Sequence, residues 1–250
     1  MIKKTICIVG ATSKIAEECI RHWSEEYFLN LILIARDEQK LKRICDDIRF
    51  RNGNVKIKKF IIDFNNFTSL NNVMKYIDRS YKIDIAMIAQ GSMENNAIYQ
   101  SNSTKMRDLI NLNIISVVAF AEPILNHMTS NNFGKLILVG SVAGDRGRKS
   151  NYIYGASKSF IQTYGEGLNH RLYNSPIRIF LVKPGPTLTP MTRSIDANYK
   201  IKFADPTFVA KEICREINKK NFLIYTPKKW RWIMFVIRNL PNFIFNRLNI

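Results

Sequence analysis

The segment Thr5-Ile-Cys-Ile-Val-Gly10-Ala-Thr-Ser-Lys-Ile-Ala16 decides the fold. Its apolar half, residues 5–9, is typical of a buried strand in a parallel sheet. From Lys14 the chain continues into a stretch that is long enough for a crossover helix. Small residues lie between the two, where a dinucleotide-binding fold needs the backbone to approach a pyrophosphate at a helix N-terminus. The segment therefore predicts a strand, a tight turn and a helix at a nucleotide site.

The same alternation continues along the chain. Apolar runs typical of buried strands lie at residues 29–35, 55–62, 83–89, 135–140, 177–182 and 222–225. Stretches long enough for helices lie at 14–27, 37–51, 68–79, 105–128, 152–173 and 206–218, and Asp205 with Pro206 marks the start of the last one. Alternating strands and helices predict one α/β domain with a doubly wound, seven-stranded, mostly parallel sheet.

Composition and charge narrow the class of protein. The chain has 250 residues, 46% of them hydrophobic, which is enough for one well-buried domain. A formal net charge of +18 would suit nucleic acid, an anionic membrane or phosphorylated substrates. The lysines and arginines are spread along the chain and form no block interleaved with stacking aromatic residues. We therefore expect no nucleic-acid partner.

The cysteines, the histidines and the first residues argue against a disulfide-rich protein, a metal protein and a secreted protein. Cys7, Cys19, Cys45 and Cys214 are scattered without a CxxC pair, and the three histidines show no metal-ligand spacing. We predict neither a disulfide framework nor a metal site. The opening MIKKTICIVGA has too few apolar residues for a secretory signal, so we expect the body of the protein to be cytoplasmic.

Three residues predict acid–base chemistry. Ser141 follows a predicted strand, and Tyr154 and Lys158 lie four positions apart on a predicted helix, so they share one face of it. Reduction of a ketone needs a proton donor beside the carbonyl oxygen, but a phenol with a pKa of about 10 is a poor one. A neighbouring ammonium stabilises the phenolate and is expected to lower the pKa of Tyr154 towards the operating pH.

In these motifs the chain resembles the short-chain dehydrogenase/reductase family, over essentially residues 1–227. The resemblance implies a Rossmann-type fold and an oxidoreductase with a catalytic tetrad, namely Asn113, Ser141, Tyr154 and Lys158. In the family's T-G-x-x-x-G-x-G turn, Gly10 matches the first glycine, whereas Lys14 and Ala16 replace the other two. Lys14 also offers a cation near the phosphates of a bound dinucleotide.

Further segments match the family's cofactor contacts. Asp63 corresponds to an aspartate beside the adenine, residues 89–91 resemble the family's N-A-G turn, and residues 184–191 resemble its P-G-x-x-x-T-P-M segment. Residues 192–203 are expected to form a substrate lid. The cofactor-binding residues that the resemblance implies are Gly10, Thr12, Ser13, Lys14, Ile15, Arg36, Asp63, Ala89, Gln90, Gly91, Tyr154, Lys158, Pro184, Gly185, Thr187 and Thr189.

The end of the second predicted strand favours NADP(H) over NAD(H). Ala35 is followed by Arg36, and no acidic residue ends the strand to bind a free ribose 2′-hydroxyl. An arginine at this point can pair with a 2′-phosphate. A surface role for Arg36 is the alternative, and Asp37 beside it weakens the positive field.

The last residues differ in character from the rest of the chain. The tail, residues 228–250, reads KKWRWIMFVIRNLPNFIFNRLNI, where Pro241, arginines and asparagines spoil a membrane-spanning helix. Aromatic residues beside cations are typical of a segment that lies in lipid headgroups. We therefore predict an amphipathic apolar tail that holds the protein on the inner face of the membrane. Packing on its own domain or in an oligomer interface is the alternative.

The tail and the Gly-Ala-Thr-Ser-x-Ile-Ala turn resemble the family branch related to decaprenylphosphoryl-2-keto-erythro-pentose reductase. That branch implies reduction of a lipid-linked or nucleotide-linked keto-sugar in cell-envelope polysaccharide synthesis, beside an oxidase partner, and the family implies a homo-oligomer. Two alternatives stay open. One is a reductase of a soluble or acyl carbonyl compound whose tail serves oligomerisation, and the other is a non-catalytic dinucleotide-binding scaffold.

Overall fold

A computed structural model describes residues 2–192 and 202–248. The strands are β1 (Lys3–Val9), β2 (Phe28–Ala35), β3 (Lys56–Ile61), β4 (Ile85–Ile88), β5 (Lys135–Val139), β6 (Arg178–Pro184) and β7 (Leu223–Thr226). The helices are α1 (Lys14–Glu26), α2 (Glu38–Arg51), α3 (Leu70–Ser80), α4 (Asn96–Ser101), α5 (Ser103–Ile110), α6 (Ser116–Ser130), α7 (Tyr152–Arg171), α8 (Pro206–Glu216), α9 (Lys229–Asn239) and α10 (Asn242–Phe245). Short 3₁₀ turns lie at Phe67–Ser69, Val142–Gly144 and Pro190–Thr192.

The seven strands form one sheet in the order β3-β2-β1-β4-β5-β6-β7, and every neighbouring pair is parallel. The predicted doubly wound α/β sheet is confirmed. The strand order reverses between β1 and β4, and open sheets of this type bind ligands at the carboxyl ends of the strands beside such a reversal. The predicted site residues after β1, β4, β5 and β6 therefore meet at one edge of the sheet.

Helices cover both faces of the sheet, as the apolar strand runs require. Along β1, Ile6 and Ile8 belong to one core cluster, which also contains Trp23 of α1. Cys7 and Val9 alternate with them and belong to the opposite cluster. The cysteines at positions 7, 19, 45 and 214 are buried as free thiols.

The predicted helix over residues 105–128 is interrupted in the structure. A π-helical turn, Asn111–Ile115, separates α5 from α6 and carries the buried Asn113. A π turn inserts one residue into the helical repeat and is frequent at functional sites. Hydropathy could not reveal it, because the apolar pattern continues through the turn. The whole stretch Ser103–Ser130 is long and apolar enough to span a membrane, but half of its apolar window is buried in the protein, as in an ordinary core helix.

The tail folds back onto the domain through α9. Met234 is fully buried, and the Arg146 guanidinium donates hydrogen bonds to the backbone oxygens of Ile237 and Leu240. The indole of Trp230 lies so close to Gly185 that an added Cβ at Gly185 would lie 2.6 Å from Cε2 of the ring. One face of α9 therefore belongs to the packed structure.

Candidate active site

A cleft of about 460 Å³ opens at the carboxyl edge of the sheet. Its lining includes most of the residues predicted for the site: Gly10, Thr12, Ser13, Lys14, Ile15, Arg36, Ala89, Gln90, Gly91, Ser141, Tyr154, Lys158, Pro184, Gly185, Thr187 and Thr189. Asp63 and Asn113 do not line it. The structure thus brings segments from five strand ends into one continuous cavity.

The turn after β1 is built around Gly10. Its φ of +78° is a backbone conformation that favours glycine. A Cβ at this position would lie 2.7 Å from Cα of Gln90, so the turns after β1 and β4 touch without room for a side chain. Helix α1 begins after Ser13 with no side-chain cap, which leaves its first amides for an anion at the cleft.

Lys14 occupies the first position of α1 at the cleft wall. Its ammonium lies 2.7 Å from Glu18 and 3.1 Å from Glu17 on the same helix. Burial acts to lower the pKa of Lys14, but the hydrogen bonds and charges of these two carboxylates outweigh it and raise the pKa. Lys14 stays charged, and much of its charge is balanced within its own helix.

Two cations lie at the end of β2. Arg36 and Lys40 both line the cleft. Asp37 caps α2 by accepting a hydrogen bond of 2.9 Å from the backbone N–H of Lys40, and this bond is the main reason why its pKa is lowered. The other oxygen of this carboxylate lies 3.6 Å from the Lys40 ammonium, so Asp37 balances part of the positive charge at this point of the cleft, as expected.

The residues predicted to perform acid–base chemistry lie together in the cleft wall. Tyr154 and Lys158 of α7 are both buried, and the Lys158 Nζ lies 5.9 Å from the centre of the Tyr154 ring. Lys158 donates a hydrogen bond of 3.0 Å to the backbone oxygen of Val139 at the end of β5. Ser141 is fixed nearby, because its backbone oxygen accepts a 2.8 Å hydrogen bond from Gln162. Two neighbouring elements, β5 and α7, thus hold the three groups together.

Burial dominates the electrostatics of this group. It raises the pKa of Tyr154 to about 12, although a hydrogen bond with Ser141 acts in the opposite direction. Burial also lowers the pKa of Lys158 to about 8. The expected lowering of the pKa of Tyr154 towards the operating pH is not found in the protein without ligands, because desolvation of the phenolate outweighs the hydrogen bond with Ser141.

Asn113 lies behind the cleft wall. Its Nδ2 donates hydrogen bonds to the backbone oxygen of Ser92 (2.9 Å) and to the Ser157 hydroxyl (3.1 Å), and its Oδ1 accepts one from the Ser92 N–H (2.8 Å). A Cβ added at Gly91 would lie 3.3 Å from Asn113 Oδ1 and 3.4 Å from Lys158 Nζ. Gly91 therefore brings Asn113 and Lys158 close to one point of the wall.

Residues 4–200 match the short chain dehydrogenase family. The protein belongs to this family. It is an oxidoreductase, and an uncharacterized oxidoreductase of Staphylococcus epidermidis is 26% identical to it over 195 residues, 78% of this chain and 82% of the relative.

Solved structures of other short-chain dehydrogenases share the fold. The enzyme from Sphingobium yanoikuyae in complex with NADPH has a TM-score of 0.83 at 21% identity and covers 96% of this chain and 97% of its own. One from Burkholderia phymatum in complex with NAD also has a TM-score of 0.83, at 18% identity, over 100% of this chain and 97% of its own. At these identities the likeness establishes the fold.

The cleft of this short-chain dehydrogenase fits a dinucleotide by its own features. The uncapped N-terminus of α1 lies in its wall, and two cations line it after β2: Arg36 and Lys40, of which Lys40 is paired with Asp37. Oε1 of Gln90 is buried without a hydrogen-bond partner among the described residues, while its Nε2 donates to Ser116 (3.1 Å). This free acceptor suits a ribose hydroxyl. Asp63, by contrast, is exposed, and its carboxylate accepts a hydrogen bond from the Asn65 N–H.

Sequence reasoning missed several cleft residues. Lys40 was detectable, because it lies in the first turn of the predicted helix that follows Arg36. Phe64, Arg148 and Asn151 carried no signal, since their positions depend on the paths of loops, whereas Thr192 is the first residue of the predicted lid and lines the cleft. Most of the predicted lid, residues 192–203, lies outside the described residues.

Proposed function

We propose that this short-chain dehydrogenase is an NADP(H)-dependent reductase of a keto group. The observation that carries the proposal is the arrangement of Ser141, Tyr154 and Lys158 in the same cleft as a cationic nucleotide end. A scaffold without catalysis would have no need for a buried lysine and a buried tyrosine together. The Lys158 ammonium is buried without a carboxylate partner among the described residues, unlike that of Lys183, and an ionisable group perturbed in this way inside a cleft is a candidate for function.

The chemistry assigns one task to each residue. When bound, a reduced nicotinamide supplies the hydride that adds to the carbonyl carbon. Ser141 donates a hydrogen bond to the carbonyl oxygen and orients it, and Tyr154 transfers its phenolic proton to that oxygen, which completes the alcohol. The Lys158 ammonium stabilises the resulting phenolate, and Asn113 positions the backbone at Ser92 beside it.

The residues that would hold NADP(H) follow the length of the cleft. The turn after β1 and the start of α1 would hold the pyrophosphate, Gln90 a ribose, and the segment from Pro184 to Thr189 the nicotinamide side. Arg36 and Lys40 would bind the 2′-phosphate that distinguishes NADP(H) from NAD(H). Structural relatives in complex with NADPH and with NAD support a nicotinamide cofactor in general.

Arg36→Gln is expected to weaken binding of NADPH by about tenfold, because one charge-assisted contact to an exposed phosphate is lost. NADH affinity should stay within about twofold. Fluorescence titration of the full-length protein with each cofactor measures both effects. Arg43→Gln also removes one positive charge, at a position of α2 that does not line the cleft, and should change the affinity for neither cofactor. Equal losses for NADPH and NADH in the Arg36 variant would contradict the assignment.

We further infer that residues 1–227 form the dehydrogenase domain and that the tail, residues 228–250, attaches it to an anionic membrane. The face of α9 opposite its packed side exposes Trp232, Phe235 and Val236, of which Trp232 is 72% exposed. The tail carries five lysines and arginines and no acidic residue. An apolar face beside cations suits a peripheral position on the inner, anionic leaflet.

This position favours a lipid-linked keto-sugar as the substrate, within cell-envelope polysaccharide synthesis, and an oxidase partner would then supply the ketone. A nucleotide-linked keto-sugar fits the same chemistry. The cationic surface of the chain is consistent with either substrate, since both carry phosphate. An oligomeric assembly follows from the family alone and stays a prediction.

A triple substitution, Trp232→Ala, Phe235→Ala and Val236→Ala, is expected to reduce binding to phosphatidylglycerol-containing vesicles at least tenfold. These side chains are exposed, so the fold should be retained. Cosedimentation with vesicles measures the effect, and Phe50→Ala, which removes an aromatic ring that is 92% exposed on α2, is the matched control. Loss of an oligomer in light scattering, without any vesicle binding by the unmodified protein, would instead favour the tail as a subunit interface.

A further inference from the structure

The loop between Gly144 and α7 places one more cation at the chemical end of the cleft. Arg148 lines the cleft together with Ser141 and Tyr154, although it matches none of the motifs that identified the site. Two contacts fix the loop at this point. The backbone oxygen of Arg148 accepts a hydrogen bond from the Asn151 N–H (3.2 Å), and the buried Asn96 donates one to the backbone oxygen of Lys149 (3.2 Å).

The Arg148 guanidinium has no counter-ion within the described part of the chain. Among residues 2–192 and 202–248, no carboxylate lies within 4.0 Å of it, and its Nε is buried without a hydrogen-bond partner. Burial lowers the pKa of Arg148, and only the more distant charge of Asp145 opposes this. A partly buried cation without a partner is costly, so this arrangement requires another source of stabilisation.

Asp145 cannot serve as that partner. Its Oδ1 accepts a hydrogen bond of 2.6 Å from Lys183, and its Oδ2 accepts one of 2.8 Å from the Tyr225 hydroxyl. Both oxygens of the nearest acidic side chain are therefore occupied by groups in the interior. Within the described residues the Arg148 side chain donates one hydrogen bond, from Nη2 to the weak acceptor sulfur of Met234 (3.2 Å). Its Nη1 donates none there, so the guanidinium keeps a donor for a ligand in the cleft.

A second unsatisfied polar atom lies in the wall of the same cleft, on a residue three positions after Arg148. Oδ1 of Asn151, which also lines the cleft, is buried without a partner in the described residues. It is an acceptor, so it complements a hydroxyl group, whereas Arg148 complements an anion. A cation and a lone acceptor next to Tyr154 together match a phosphorylated polyol whose carbonyl faces the tyrosine.

The surroundings of Arg148 are apolar on the side of the tail. Its Nη2 lies 3.2 Å from the sulfur of Met234, the buried residue of α9. The neighbouring Arg146 holds the end of the same helix, through hydrogen bonds to Ile237 and Leu240. A group bound by Arg148 would therefore lie where the cleft meets the amphipathic helix of the tail.

We propose that Arg148 binds a phosphate ester of the substrate and that Asn151 accepts a hydrogen bond from a neighbouring sugar hydroxyl. The guanidinium has the planar donor geometry that binds two phosphate oxygens at once. The proposal rests on the proposed function, since it takes the carbonyl chemistry at Tyr154 as given. It makes Arg148 the residue that selects phosphorylated over neutral ketones.

Calorimetric titration of the full-length protein, saturated with NADPH, tests this. The probes are farnesyl phosphate, the nucleotide sugar UDP-glucose, inorganic phosphate and neutral farnesol. We expect a phosphate ester to bind more tightly than inorganic phosphate or farnesol, and Arg148→Gln to weaken that ester at least tenfold. Whether farnesyl phosphate or UDP-glucose binds more tightly identifies the source of the phosphate. Arg148→Lys, which keeps the charge without the planar fork, should give an intermediate loss.

Arg36→Gln is the matched control, because it removes an arginine from the opposite end of the same cleft. Arg36→Gln should weaken the binding of NADPH and leave the affinity for the phosphate ester unchanged. Arg148→Gln should weaken the binding of the ester and leave the affinity for NADPH unchanged. The retained NADPH affinity would also show that the Arg148 variant is folded. Unchanged ester affinity in Arg148→Gln, or no ester binding by the unmodified protein, would overturn the proposal. Failure of the unmodified protein to bind NADPH would count against the proposed function alone, since the ester titration can be repeated without the cofactor.

Discussion

Replacing Tyr154 with phenylalanine should reduce kcat by roughly 10²–10⁴-fold, the usual contribution of a positioned general acid. The change removes one oxygen from a buried side chain and leaves the ring in place. The proton must then come from water or from the Ser141 hydroxyl, and both are poorer donors than a phenol beside an ammonium. The cofactor affinity should change by less than about twofold, because the loss is confined to the transition state.

Steady-state kinetics with a reducible ketone, combined with NADPH titration, separates the two quantities. Tyr152→Phe is the matched control, since this tyrosine lies on the first turn of the same helix, is exposed and does not line the cleft. It should retain full activity. A Tyr154→Phe enzyme that turns over at the original rate would rule out the phenol as proton donor.

The second large effect is expected on stability. Lys183 and Asp145 form an ion pair of 2.6 Å whose side chains are 2% and 0% exposed. Lys183→Met would leave the Asp145 carboxylate buried without its ammonium, with only the Tyr225 hydroxyl as donor. Removing one partner of a buried pair typically costs about 3–5 kcal/mol. We expect the free energy of unfolding to fall by this amount.

Urea denaturation followed by circular dichroism measures the change. Arg171→Met provides the comparison, because Arg171 and its partner Glu122 are 48% and 36% exposed and such a surface pair contributes at most about 1 kcal/mol. Similar losses in the two variants would show that burial does not govern the Lys183 pair. The loop that carries Arg148 follows Asp145 directly, so ester binding should weaken in the Lys183 variant as well.

The fold could be predicted because its information is local. Most positions of the inner strands β1, β4, β5 and β6 and of β2 are buried, so these strands appear as mainly apolar runs, whereas the edge strand β3 is exposed or half-exposed along its length. The helices between the strands have enough length for crossovers. The predicted site residues after β1, β4, β5 and β6 needed only the rule that parallel strands end at one edge. Ser141 was predicted in this way, whereas Tyr154 and Lys158 were predicted from their four-residue spacing on one helix and from the family resemblance.

Several features of the site could not be predicted from the sequence, because they depend on the paths of loops and on the burial of side chains in the folded protein. Arg148 and Asn151 reach the cleft because Asn96 of α4, a helix that was not predicted, fixes the loop between them. The raised pKa of Tyr154 comes from burial in the folded protein, which spacing on a helix does not reveal. The π turn at Asn113 reflects side-chain hydrogen bonds to Ser92 and Ser157 that are distant in sequence.

The close approach of Trp230 to Gly185 has a practical meaning for anyone who wishes to shorten the protein. Gly185 lines the cleft, and the indole of Trp230 occupies the space in which a larger residue would place its side chain. Truncation before α9 would remove both Trp230 and Met234. It would therefore expose Gly185 and also the Nη2 atom of Arg148 that contacts Met234. The tail is therefore part of the packed structure. A loss of activity or of vesicle binding in a shortened chain would reflect damage to the cleft wall as well as the missing contact with lipid.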